Sequence, residues 1–135
     1  MESLLINEFR NTTLNCVFLK TPKRLGPGGA RNLGIKNSYN KYIFFLDADD
    51  YFYKETALED MYNKINKNDY YLLEFYMYPQ DKKAKKNKTN FLINRKIIKD
   101  KDIKYTHLFF GEDQIFNTQL IISTPKDKTY KYYNN

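Results

Sequence analysis

Tyr42-Ile43-Phe44-Phe45-Leu46 is an uninterrupted run of apolar, β-favouring residues that ends abruptly in Asp47, Asp49 and Asp50. Such a run suits a strand covered on both faces, since a strand with one wet face alternates apolar and polar residues. A chain built around it must supply cover on two sides and leave the acidic end in water. Upstream, Cys16 to Lys20 reads as another strand, Thr21 to Gly28 as a loop rich in glycine, and Gly29 to Ser38 as a helix. Strand, helix, strand in that order predicts a βαβ unit with a right-handed crossover.

Downstream the alternation continues. Lys54 to Asn66 has the period of an amphipathic helix, with Ala57, Leu58, Met61 and Ile65 on one face and Lys54, Glu59 and Lys64 outside. Tyr70 to Tyr78 is an aromatic strand and Phe91 to Asn94 a second one, joined by a hairpin or by a long crossover. Asn94 to Lys104 reads as a short irregular or helical stretch with Ile97, Ile98 and Ile103 inward. Glu112 to Ile122 reads as a helix with Ile115, Phe116 and Leu120 toward the core, and Thr129 to Tyr133 as a final strand. The expected architecture is a single α/β domain over residues 1–135, long enough for one modest core and too short for a second full domain.

A lone cysteine, Cys16, excludes an internal disulfide and a cysteine-rich zinc site; in its apolar run it reads as a small core residue in a reducing compartment. No segment has the length of a membrane-spanning helix, and Met1 to Arg10 carries acids where a leader peptide would be apolar, so a cytoplasmic protein is expected. The net charge of +7 is uneven. Much of it falls in Asp81-Lys82-Lys83-Ala84-Lys85-Lys86-Asn87-Lys88, and residues 79–90 read as a mobile, solvated lysine-rich loop. A basic nucleic-acid-binding or membrane-surface module built on those lysines is the disfavoured alternative.

Two acidic patches carry the chemistry. Asp47 and Asp49 offer carboxylate oxygens one residue apart, the donor type that Mg²⁺ or Mn²⁺ takes together with substrate phosphates. Aspartates also mark ordinary turns, where they bond nearby backbone amides, and Asp50 could simply open the next helix. Glu112 and Asp113 begin a predicted helix, where acids complement the helix dipole, and where a carboxylate can also be aimed into a cleft as a base. Arg31 supplies positive charge for a diphosphate or for the acidic turn; Gly28 and Gly29 permit close backbone approach. The only histidine, His107, reads as structural or surface.

Gly26, Gly28, Ala30, Arg31, Asn32, Gly34, Ile35, Phe45, Leu46, Asp47, Asp49 and Asp50, with Phe110-Gly111-Glu112-Asp113 downstream, resemble the signatures of family 2 glycosyltransferases of the GT-A fold. The resemblance runs from about Val17 to Ile122. It implies a truncated GT-A-like, Rossmann-like mixed sheet flanked by helices, and metal-dependent, inverting transfer of a sugar from a nucleotide-sugar donor to an acceptor hydroxyl of a glycan, lipid or protein. By the same resemblance Asp113 is the general base with Glu112 beside it, Asp47 and Asp49 hold Mn²⁺ or Mg²⁺, and Gly28, Arg31, Asp47 and Asp49 face the donor. The family's first two strands and their acidic turn, which grip the donor nucleotide, are not found in Met1 to Asn15. That departure implies a complementing subunit, a homo-oligomer, or a noncatalytic sugar- or nucleotide-binding relative.

Overall fold

A computed structural model describes residues 12–52, 54–77, 88–108 and 110–132. Helix α1 spans Gly26–Asn37, strand β1 Tyr42–Phe44, helix α2 Ala57–Lys67, strand β2 Leu72–Met77 and strand β3 Lys88–Asn94. Helix α3 follows over Arg95–Asp100, then α4 over Glu112–Ser123, a 3₁₀ turn at Lys126–Lys128 and strand β4 at Thr129–Tyr132. The four strands form one mixed sheet in the order β1-β3-β2-β4. β3 is antiparallel to both β1 and β2, while β2 and β4 run parallel.

The sheet is covered on both faces, as the apolar run requires. Ile43, Leu72, Phe91 and Ile93 belong to a core completed by Ile97, Ile98, Ile103, Tyr105, Phe116 and Leu120. On the opposite face Leu73, Phe75 and Leu92 pack with Met61 and Ile65, and Tyr42 and Phe44 join them. Adjacent residues of one strand therefore feed different cores, the consequence of side chains alternating across a pleat. Burying each of these large side chains stabilises the fold by about 1.5–3 kcal/mol.

Several expectations are corrected. Cys16 to Lys20 carries no regular structure, so among the described residues no strand precedes α1 to make a βαβ unit with β1; Cys16 is exposed, and so are Val17, Phe18 and Leu19. A strand needs a hydrogen-bonded neighbour, and among the described residues β1 pairs only with β3. The first helix begins at Gly26, three residues early, because Pro27 suits a first-turn position that needs no N–H donor. β1 leaves the ladder after Phe44, and Leu46 is exposed.

On α2, Ala57, Met61 and Ile65 are buried at successive fourth positions while Leu58 faces solvent. The aromatic strand and its successor form an antiparallel pair. Residues 88–90, expected at the end of the lysine-rich loop, belong to β3, while 78–87 lie outside the described residues. Among the described residues no helix is long and apolar enough to cross a membrane.

Candidate active site

The acidic end of β1 is held open by two local devices. Past the ladder, the Asn90 side chain donates to Phe45 O at 2.9 Å, extending the strand's support by one residue. The chain then turns, with Asp50 N–H donating to Asp47 O at 3.0 Å. The turn, made by backbone groups, gathers the aspartates: Asp47, Asp49 and Asp50 each offer a carboxylate oxygen, all within 4.8 Å of one another. Three hard oxygen donors at that separation fit a divalent cation of the Mg²⁺ or Mn²⁺ type.

The second patch reaches the same place from the other end of the chain. Gly111 caps α4 at φ +80, a left-handed conformation that a side chain would strain, and so allows the abrupt entry into the helix. Glu112 is buried and Asp113 about half exposed, both in the first turn of α4.

Arg31 of α1 lies between the patches. Its Nη2 donates to Asp47 Oδ1 at 2.8 Å, its Nη1 to Asp113 Oδ1 at 2.5 Å, and Glu112 Oε1 is 3.7 Å from Nη1. The guanidinium carbon sits 5.3 Å from the centre of the Tyr105 ring, which stacks at 3.9 Å on Phe116 of α4. Burial opposes the arginine's charge, but the bond to Asp47 and the pull of Asp113 outweigh it, and the Arg31 pKa is raised above its ordinary value. Burial also pushes the Tyr105 phenol upward, with Arg31 opposing and the three carboxylates adding to the rise.

Arg31, Phe45, Asp47, Asn90, Tyr105, Asp113 and Asn117 line one open cleft of about 150 Å³. Asp47 and Asp113 therefore face a common hollow. Asp49 is exposed on the adjoining turn and meets that hollow only through its neighbour Asp47.

Gly28 is buried; a Cβ there would lie 3.0 Å from Thr106 O, 3.2 Å from Tyr105 Cβ and 3.3 Å from Glu112 Cγ. Its bareness lets α1 settle against the segment leading into α4. His107 is exposed and borders a separate hollow beside Arg24 and the start of α1. Sequence reasoning missed Tyr105, Asn90 and Asn117 as cleft residues. Asn32, although part of the quoted motif, was given no role, yet its amide ties α1 to Tyr105.

A parallel-and-antiparallel sheet between helices, with an acidic turn at one strand end facing a helix-borne carboxylate, is the frame of a GT-A-type domain. The model of the family described as glycosyl transferase family 2 matches residues 4–124, and the chain belongs to that family. The match begins well before Val17, where the quoted resemblance started. The crystal structure of S. aureus TarS 1-349 superposes with a TM-score of 0.87 over 100% of this chain and 46% of that one, at 19% identity, which shows the shared fold. An uncharacterized glycosyltransferase of Methanocaldococcus jannaschii is 27% identical over 95% of this chain and 42% of its own length. Another, from Rickettsia felis, is 67% identical over 33 residues, 24% of this chain and 6% of its own. The chain thus spans less than half the length of these relatives.

Proposed function

We propose that the chain carries the metal- and acceptor-side half of a glycosyltransferase site, in which a sugar passes from a nucleotide-sugar donor to an acceptor hydroxyl with inversion at the anomeric carbon. The observation that carries the reading is that Asp47 and Asp113, far apart in sequence, line one cleft. An acceptor hydroxyl is a weak nucleophile and a nucleoside diphosphate departs with growing negative charge, so the reaction needs a base at one end and positive charge at the other.

In this reading Asp113 takes the acceptor's proton on a carboxylate oxygen as the hydroxyl oxygen attacks the anomeric carbon. The bond from that carbon to the diphosphate oxygen breaks, its electron pair leaves with the diphosphate, and attack from the opposite face inverts the centre. Buried Glu112, its Oε1 3.7 Å from Arg31 Nη1, would orient the acceptor or base. Asp47 and Asp49, with Asp50 alongside, would hold Mg²⁺ or Mn²⁺, which supplies Lewis-acid neutralisation of the departing diphosphate. Arg31 forms the α1 side of the donor region, while Gly28, proposed for the same region, is buried and serves it by letting α1 pack against residues 105–106.

The test is a transfer and donor-hydrolysis screen over nucleotide sugars with Mn²⁺ or Mg²⁺, comparing the native chain with Asp49→Ala and Asp113→Asn. Turnover is expected to fall by about 10²–10⁴-fold in Asp113→Asn, the usual contribution of a positioned base. Metal-dependent donor binding should be lost chiefly in Asp49→Ala. Equal activity in all three proteins would defeat the assignment.

A further inference from the structure

We infer that Arg31 is a positioning residue coupling the two acidic patches: it fixes the orientation of Asp113 while competing with a divalent cation for Asp47. The inference rests on the roles just proposed for Asp113 and the aspartate cluster.

Arg31 bonds two carboxylates from distant segments through different nitrogens of one planar group, Nη2 to Asp47 at 2.8 Å and Nη1 to Asp113 at 2.5 Å. A guanidinium fork does this with fixed geometry, whereas an ammonium is a point charge on a flexible stem. The fork is itself anchored: the Arg31 side chain is 17% exposed and lies over Tyr105, which stacks on Phe116. Asp113, by contrast, is 51% exposed, and the short bond from Arg31 Nη1 holds one of its carboxylate oxygens against the pull of solvent. On the other side, a positive charge already bonded to Asp47 opposes a second cation on the same carboxylate. One residue therefore has two separable effects, geometry toward Asp113 and charge toward Asp47.

The separating experiment compares Arg31→Gln with Arg31→Lys in the full chain. Titration with Mn²⁺ alone, without donor or acceptor, should show Arg31→Gln binding about three- to tenfold more tightly than native, while Arg31→Lys, which keeps the charge, stays within about twofold. In turnover, kcat should fall about 100-fold in Arg31→Gln and about tenfold in Arg31→Lys, with the acceptor KM within about threefold, the pattern of an interaction needed in the transition state. Unchanged or weaker Mn²⁺ binding in Arg31→Gln, no Mn²⁺ binding in either protein, or full kcat in Arg31→Lys would each overturn the inference. Should circular dichroism show that Arg31→Gln does not fold, the kcat of Arg31→Lys decides alone. A native chain that binds Mn²⁺ but transfers no sugar sinks the transferase reading and leaves the Mn²⁺ comparison standing.

Discussion

Asn32 and Tyr105 are joined by a pair of hydrogen bonds: Asn32 Nδ2 donates to Tyr105 O at 2.9 Å, and Tyr105 N–H donates to Asn32 Oδ1 at 2.9 Å. The side-chain amide imitates a strand neighbour for one residue of irregular chain. It thereby fixes the height of α1 against the segment that carries the Tyr105 ring beneath Arg31.

Asn32→Ala should cost about 2–3 kcal/mol, because each lost bond is worth about 1 kcal/mol and the partly buried Tyr105 amide groups are left unpaired. Urea unfolding followed by circular dichroism measures it. A loss within error of zero would mean that water replaces the amide freely.

Gly28 and Gly34 share α1 but should respond oppositely to alanine. At Gly34 nothing lies within 4 Å of an added Cβ, so Gly34→Ala should stabilise by about 0.8–1 kcal/mol through helix propensity. At Gly28 the added atom meets backbone Thr106 O at 3.0 Å, and overpacking of about 1–3 kcal/mol should exceed the same gain. Melting temperatures of the two variants check the contrast, and a stabilising Gly28→Ala would show that the 105–106 segment gives way.

Phe116 is 1% exposed, stacks on Tyr105 and meets Phe45 edge-on with ring centres 6.1 Å apart. Phe116→Ala should destabilise by about 3–5 kcal/mol. Denaturation midpoints read the effect. A loss below 1 kcal/mol would place the true core elsewhere.

Alkaline pH should weaken the fold through Tyr105. Its pKa is raised in the folded chain, so the unfolded chain releases that proton first, at about pH 10, and stability falls as pH climbs beyond that value. Below pH 10 the group contributes no pH dependence. Tyr105→Phe should make the decline of stability above that pH shallower than in the native chain, measured by urea titrations at successive pH values; identical slopes would refute it.

Local pattern made much of this legible. Ile97, Ile98 and Ile103 lie inward as their spacing predicts, and α4 opens at Glu112 with Phe116 and Leu120 buried. The failures are those of neighbours that no local window contains. Val17, Phe18 and Leu19 have the composition of a strand but no described ladder to join. Leu58 fits an apolar stripe, but it is Met61 and Ile65 of that helix that pack into the sheet's core, with Tyr62 meeting Tyr42 edge-on, while Leu58 faces solvent. At the site, the spacing of Asp47 and Asp49 and the Glu112-Asp113 pair announced carboxylates. The reading of Arg31 as charge for the acidic turn anticipated its bond to Asp47, but not that the same side chain would also reach Asp113 or that Tyr105 would floor the bridge, since these depend on how three separate segments converge.

The parallel pairing of β2 with β4 sets an order of events during synthesis. Leu72 faces Thr129 and Phe75 faces Tyr132 across that ladder, with β3, α3 and α4 made in between. The outer border of the sheet therefore stays unzipped on the ribosome until Thr129 has emerged, and a nascent chain arrested before that point carries an uncapped Leu72–Phe75 rim that invites association with other unfinished chains.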